Sequence, residues 1–139
     1  YNKIKIISFY MKETPSQLPI QSYLMNFTFT FSTNNPNNRK PEQSEINRYS
    51  KYLKEHISII DPKILILMGS TAMEAILGSN KRISKERGQW KEVIIKQKNF
   101  KTIVTFHPAY LLRKPDQKKF SWEDLKIIRK EIDELNIEI

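Results

Sequence analysis

The sequence contains no cysteine and only 3 glycines among its 139 residues. Without cysteine, these residues cannot form a disulfide, supply a thiol nucleophile or hold a metal cluster through thiolates. No apolar stretch approaches the roughly 20 residues that span a bilayer, and no secretory signal pattern opens the chain. We therefore expect a soluble, cytoplasmic protein that binds no metal and does not associate with a membrane.

Positive charge, in contrast, is abundant. The 24 Lys and Arg residues outnumber the 15 Asp and Glu residues and give a formal net charge of +9. Such an excess predicts an acidic partner, and nucleic acid is the first candidate. The many Lys, Asn and Ile residues are also typical of an AT-rich coding bias, which would make part of the basicity incidental. Composition alone leaves both interpretations open.

Apolar runs and amphipathic stretches alternate along the chain, which has the size of one domain with a real core. Residues 1–11 fit either a strand or a short helix, because their periodicity does not decide. Beyond them the pattern predicts a strand, helix, strand, helix, strand, strand and helix, at residues 23–31, 44–60, 64–68, 70–77, 90–95, 102–106 and 121–135. This order predicts a single α/β domain, with a mostly parallel sheet and helices on both faces.

The last helix and two connections carry finer predictions. Ser121 and Asp124 fit an N-terminal capping box. The apolar face of this helix is predicted to consist of Trp122, Leu125, Ile128, Ile132 and Leu135. Residues 79–88 and 96–101 are polar and basic, and both are predicted to be loops.

A histidine marks the end of the 102–106 strand. The strand stops at His107-Pro108, where proline fixes a turn. Since ligands of open α/β sheets bind beyond the strand ends, His107 is the strongest catalytic candidate. The alternative is a histidine that only satisfies backbone groups at a strand end. His56, one position from the apolar stripe of the first long helix, is interpreted as a partly buried structural residue.

Two further features point to phosphate binding. Gly69-Ser70-Thr71 places small residues and free amides at a helix N-terminus, although the same turn fits a plain helix cap. It lacks the Lys-Ser/Thr ending of a P-loop, which excludes that kind of nucleotide site. Basic side chains flank His107 on both sides and predict a surface that tracks phosphates, unless they are a solvated charge run. These are Lys81, Arg82, Lys85, Arg87, Lys91, Lys96, Lys98, Lys101, Arg113, Lys114, Lys118 and Lys119.

The motif Thr-Phe-His-Pro-Ala-Tyr-Leu-Leu-Arg-Lys-Pro at 105–115 is followed by Trp-Glu-Asp-Leu at 122–125. Upstream, Pro-Asn-Asn-Arg-Lys-Pro at 36–41 precedes the strand–glycine–helix unit of 61–78. Over about residues 19–135, the chain resembles the bacterial iron–sulfur (family four) uracil-DNA glycosylases. The resemblance implies a three-layer α/β/α sandwich. It also implies hydrolysis of the N-glycosidic bond of deoxyuridine in DNA, the first step of base-excision repair.

The resemblance also implies roles for individual residues. His107 matches the histidine that donates a hydrogen bond to the uracil oxygen as the base leaves. Asn26 is the nearest match to the asparagine that binds the uracil edge. DNA contacts are implied for Arg39, Ser70, Leu111, Leu112 and Arg113, with one of the leucines as a wedge and Arg113 on a phosphate.

The chain departs from the family pattern in its first third. The Gly-Glu-Ala-Pro-Gly motif, which carries the water-binding residues, is absent, and the later cluster cysteines would fall near Thr33 and Tyr49. We therefore expect no iron–sulfur cluster, and a monomeric, divergent domain over residues 1–139 that lacks its N-terminal part. Whether it is an active glycosylase, or a catalytically inactive remnant that at most binds DNA, stays open. A nucleotide- or DNA-binding module on the same fold is a third alternative.

Overall fold

The computed structural model describes residues 4–9, 28–31, 42–78 and 80–137. Its strands are β1 (Ile4–Phe9), β2 (Thr28–Phe31), β3 (Ile64–Met68), β4 (Trp90–Ile95) and β5 (Lys98–Thr105). Its helices are α1 (Gln43–Ile60), α2 (Ser70–Leu77), α3 (Ile83–Glu86), α4 (Pro108–Arg113) and α5 (Lys118–Glu134). A short 3₁₀ turn, Pro115–Gln117, joins the last two helices. The chain near its start is thus a strand, which decides between the two alternatives that periodicity left open.

The five strands form one sheet in the order β2-β1-β3-β5-β4. Four strands, β2, β1, β3 and β5, are parallel to one another. The edge strand β4 pairs with β5 in the antiparallel direction. This confirms the predicted α/β class with a mostly parallel sheet.

Helices cover both faces of this sheet, and β3 shows how. Its alternate side chains point to opposite faces. Leu65 and Leu67 join a core cluster with residues of α1 and α2, whereas Ile64 and Ile66 pack in a second cluster with Ile128 and other residues at the α5 face. The predicted three-layer α/β/α sandwich is therefore confirmed. Across the ranges given above, no helix combines the length and the apolarity that crossing a membrane requires.

The start of the last helix differs from its prediction. The helix begins at Lys118, with Gln117 as N-cap, so Ser121 and Asp124 are buried residues of its first turns and no capping box. Trp122 is 62% exposed and Leu125 is 51% exposed, which contradicts their place on the apolar face. The buried stripe instead contains Ser121, Asp124, Ile128, Glu131 and Ile132. The apolar pattern predicted the wrong buried face because two acidic side chains lie on the inner face of the helix and pair there with cations.

Both predicted loops contain regular structure. The first holds the four-residue helix α3. In the second, β4 and β5 are joined by a tight turn at Lys96 and Gln97, whose φ angles are 47° and 68°. Hairpin turns of this left-handed kind normally carry Asn or Gly, so the ordinary sequence signal is missing here. Cross-strand pairing, which extends to Ile95 and Lys98, holds the turn in this conformation.

This turn predicts a stabilising substitution. Gln97→Gly should raise the free energy of unfolding by about 0.5–1 kcal/mol, because the relief of left-handed strain exceeds the added entropy of the unfolded chain. Urea unfolding of the two proteins measures the difference. Gln97→Ala is the matched control, since it trims the side chain but keeps the strained Cβ. A glycine variant that is no more stable than the alanine variant would contradict the prediction.

Candidate active site

A cleft lies where two neighbouring parallel strands end. β3 and β5 are hydrogen-bonded partners with Met68 opposite Thr105, so the segments that follow them emerge at the same edge of the sheet. The cleft between these segments has a volume of about 480 Å³. It is lined by Met68 to Thr71, by Ile83 and Ser84, and by Phe106, His107, Ala109, Tyr110, Arg113 and Gln117. This is the position at which open α/β sheets bind ligands.

His107 lies in the cleft as the N-cap residue of α4. Its Nδ1 accepts a hydrogen bond of 3.1 Å from the backbone N–H of Ala109. Pro108 occupies the first turn of the helix, where its missing N–H is not needed. An Nδ1 that accepts a hydrogen bond carries no proton, so the neutral ring has its proton on Nε2. The predicted strand-end histidine is therefore a hydrogen-bond donor through Nε2.

The same environment keeps the imidazole neutral. Burial lowers the pKa of His107 below its usual value, and the positive charge of Arg113 lowers it further. Both effects disfavour the imidazolium form. At neutral pH, His107 is thus an uncharged donor rather than an acid or a cation.

Gly69 brings the end of β3 against His107. Its N–H donates a hydrogen bond of 2.9 Å to the carbonyl of Thr105. A Cβ at this position would lie 3.1 Å from Cβ of His107, and the φ angle of +90° is one that side-chain-bearing residues rarely adopt. Glycine therefore permits the close approach of the two segments. Ser70, which begins α2, also lines the cleft. Its predicted phosphate contact stays a prediction.

Behind the cleft lies a buried ion pair that the sequence did not reveal. Asp124 is fully buried, and its carboxylate accepts hydrogen bonds from Arg87 Nε at 3.1 Å and Arg87 Nη2 at 2.6 Å. The hydroxyl of Thr105 donates to the same carboxylate at 2.8 Å. The sequence predicts Asp124 to be part of a helix cap and Arg87 to be one of several basic residues in a loop. The available signal was the spacing of Asp124, four residues before Ile128 on the buried stripe.

Aromatic rings complete this arrangement. The guanidinium carbon of Arg87 lies 5.5 Å from the ring centroid of Phe106 and 5.1 Å from that of Phe120, within the range of cation–π contacts. Phe106 in turn packs against Tyr110, with ring centroids 4.9 Å apart. The residue immediately before His107 is therefore held from two sides.

The remaining predicted residues are partly accounted for. Leu111, Leu112 and Arg113 lie on the short helix α4. Leu112 is 78% exposed, whereas Leu111 is partly buried. Asn26 and Arg39 lie outside the described residues. Their predicted roles stay predictions.

His56 does not fit its interpretation as a partly buried residue. Its side chain is exposed on α1, and Nδ1 lies 2.9 Å from the carbonyl oxygen of Tyr52. A carbonyl only accepts, so this contact places the proton of the neutral His56 ring on Nδ1. The two histidines of the chain thus favour opposite tautomers.

The basic residues separate into two groups. Several cations of the 81–101 segment pair with acidic side chains of other elements, such as Lys96 with Glu55 at 3.4 Å and Lys98 with Asp61 at 3.2 Å. These paired cations are less available to a phosphate, so this segment supports the predicted phosphate-tracking surface less than the sequence indicated. Arg113, Lys114, Lys118 and Lys119, beside the cleft, are all exposed. This second group is the better placed to meet an anionic polymer.

An iron–sulfur cluster, which the resemblance implies, does not fit these residues. The sequence has no cysteine to supply thiolates. Throughout the part of the chain that the structure describes, no group of three His, Asp or Glu side chains is arranged to hold a metal ion. No step of the chemistry considered below involves a cluster.

The fold and the cleft define an α/β protein with a histidine-bearing ligand site at the carboxyl edge of its parallel sheet. The model of the uracil DNA glycosylase superfamily matches residues 7–128 of the chain. This match covers most of the sequence, and the chain belongs to that superfamily.

Curated relatives agree with this placement. The type-4 uracil-DNA glycosylase of Sulfurisphaera tokodaii is 41% identical over 101 residues, which are 68% of this chain and 44% of the relative. The type-4 enzyme of Thermotoga maritima is 37% identical over 79 residues, 56% of this chain and 40% of the relative. The one from Archaeoglobus fulgidus is 30% identical over 97 residues, 67% and 49% respectively. The chain thus matches less than half the length of each of these relatives.

The charge environment of His107 predicts the effect of a single substitution. Arg113→Gln should raise the pKa of His107, because it removes a positive charge that opposes protonation of the ring. An NMR titration of the imidazole protons measures this directly, since the chain has only 2 histidines. Lys114→Gln is the matched control, as it changes the same charge at the next residue, which does not line the cleft. A pKa of His107 that both substitutions shift equally would contradict a local effect of Arg113.

Proposed function

We propose that this domain releases uracil from DNA by hydrolysing the N-glycosidic bond of deoxyuridine. The observation that carries the proposal is the neutral His107 in the cleft, with Nδ1 occupied by a backbone N–H and the proton on Nε2. Membership of the uracil DNA glycosylase superfamily supplies the substrate class.

Cleavage of the glycosidic bond is favoured by a hydrogen-bond donor near a uracil oxygen. When the bond between C1′ and N1 breaks, the sugar becomes oxocarbenium-like and uracil leaves with the electron pair as an anion. A neutral N–H directed at a uracil oxygen stabilises this developing charge, and it needs no proton transfer to do so. Water then forms the new bond to C1′, and its proton balances the charge of the uracil anion. His107 would therefore stabilise the leaving group, while a different group would orient the water.

DNA must present the base outside the helical stack for such a cleft to reach it. Leu112, exposed on α4 next to the cleft, suits the proposed wedge better than Leu111, because its side chain is free of the core. Arg113 is proposed to contact a phosphate, and Ser70 a second one at the start of α2. Asn26 and Arg39 keep the uracil-binding and DNA-binding roles that the resemblance implies.

A second function has its own support. The Gly-Glu-Ala-Pro-Gly motif is absent from the sequence. Of the described residues that line the cleft, none is a carboxylate that could orient a water molecule. A protein that binds DNA without cleaving the glycosidic bond would need only the basic and apolar surface of α4 and its surroundings. The following experiments distinguish the two functions.

Uracil release from a deoxyuridine-containing single-stranded oligonucleotide tests the enzymatic function. The unmodified protein should release uracil, and His107→Ala should lower kcat by about 10²–10³-fold, the usual effect of removing one donor to a developing anion. His56→Ala is the matched control and should leave the rate unchanged, because His56 lies on α1 outside the cleft. No release by the unmodified protein would exclude the enzymatic function and leave the DNA-binding one.

The salt dependence of DNA binding tests the proposed surface in either case. Arg113→Gln and Lys118→Gln should each make the slope of log K against log salt shallower by about 0.7–0.9, the contribution of one phosphate contact. Lys98→Gln is the control. This lysine begins β5, at the end of the strand opposite His107, and pairs with Asp61. Equal slopes in all variants would place the DNA elsewhere.

A further inference from the structure

We propose that the buried Arg87–Asp124 pair is a positioning device for His107, although neither residue lines the cleft. Its consequence for catalysis rests on the function proposed above. Its consequence for the geometry of His107 can be measured in the free protein.

The first link runs from Asp124 to the end of β5. The carboxylate accepts the hydroxyl of Thr105, two residues before His107, at 2.8 Å. On the other side, the carbonyl of Thr105 accepts the N–H of Gly69 at 2.9 Å. Thr105 is therefore fixed through both its side chain and its backbone, and this sets the direction in which the chain leaves the strand.

The second link runs from Arg87 to Phe106. The guanidinium group lies over the Phe106 ring, and Nη2 also donates to the carbonyl of Phe120 at 2.6 Å. Phe106 is almost fully buried, and Tyr110 packs on its ring. The residue that precedes His107 is thus held between Arg87 and the helix that His107 caps.

The backbone around the pair is shaped to admit it. Gly88 follows Arg87 with a φ of +69°, and a Cβ there would lie 2.6 Å from Oδ1 of Asp124. The N–H of Gly88 donates to the carbonyl of Val104, just before Thr105. A buried ion pair adds little stability compared with well-packed apolar residues. Precise orientation of the neighbouring strand end is a role that apolar packing would serve less well, because hydrogen bonds are directional.

The protein contains a matched control pair. Lys101 and Glu131 also join β5 to α5 through an ion pair. This pair lies four residues earlier on the strand and farther along the helix, away from the cleft-lining residues. Breaking it should therefore disturb the same interface without disturbing His107.

Long-range ¹H–¹⁵N spectra of the free protein measure the tautomer of the histidine rings. In the unmodified protein His107 should show the Nε2–H form. Asp124→Asn and Thr105→Val should both lower the Nε2–H population of His107 and shift its ring signals. Thr105→Ser keeps the hydroxyl and should restore them, and Glu131→Gln should leave them unchanged. The exposed His56 should be the same in every variant and serves as the internal reference.

Thr105→Val keeps the readout available if Asp124→Asn does not fold, since it removes one hydrogen bond to the carboxylate, leaves the ion pair with Arg87 intact and keeps the side-chain shape. If His107 keeps both its tautomer and its ring chemical shifts in Thr105→Val, the proposal is overturned. An equal change of these signals in Glu131→Gln would also overturn it.

Kinetics with uracil-containing DNA then test the catalytic consequence. Thr105→Val should lower kcat by about 10–100-fold with little change in KM, because a misplaced donor weakens only the transition state. Recovery in Thr105→Ser supports the positioning role, and an unchanged kcat in Thr105→Val overturns it. Failure of the proposed function has a different signature. In that case the unmodified protein releases no uracil, while the spectra still report whether Asp124 and Thr105 position His107.

Discussion

The carboxylate of Asp124 is the constraint on which the rest of the site depends. It is fully buried and has three donors, two from Arg87 and one from Thr105. Asp124 itself lies on α5, whereas Arg87 follows α3 and Thr105 ends β5. A buried charge that loses its partner costs about 3–5 kcal/mol, so the segment after α3, the end of β5 and the start of α5 must take their places together. The sandwich provides the layers, but this carboxylate sets where the strand ends relative to the helix.

The backbone around His107 determines which ring nitrogen can donate a hydrogen bond. The Nδ1 atom of His107 accepts the N–H of Ala109, and this backbone contact determines which ring nitrogen carries the proton as long as the ring is held in place. Pro108 makes the contact available by starting a helix at once, and Gly69 lets the neighbouring loop approach the ring. A neutral donor at this edge of the sheet is thus a property of the backbone more than of any acidic side chain near the ring.

The sequence predicted what depends on apolar patterning and on local breakers. The run at residues 64–67 is buried as expected for a central parallel strand, and His107 does lie where β5 gives way to a turn. What it did not predict depends on contacts between distant residues. Asp124 looks like a first-turn acid until Arg87, 37 residues away, is known to reach it. The turn at Lys96 and Gln97 has no turn residues, because strand pairing rather than local preference enforces it. Polar residues on inner faces are the ones that periodicity assigns to the wrong side.

In the part of the chain that the structure describes, the contacts that place His107 come from residues 69–124: the Gly69 turn, the Arg87–Gly88 segment, the end of β5, α4 and the start of α5. These contacts hold His107 through backbone and side-chain groups of five neighbouring segments. Under the proposed function, stabilising the departing base would depend on these segments, and delivering water would depend on a different group. In the proposed reaction, a variant in which the delivery of water is impaired should therefore keep its Nε2–H donor in place, because Asp124 and the backbone hold His107 through the contacts described above.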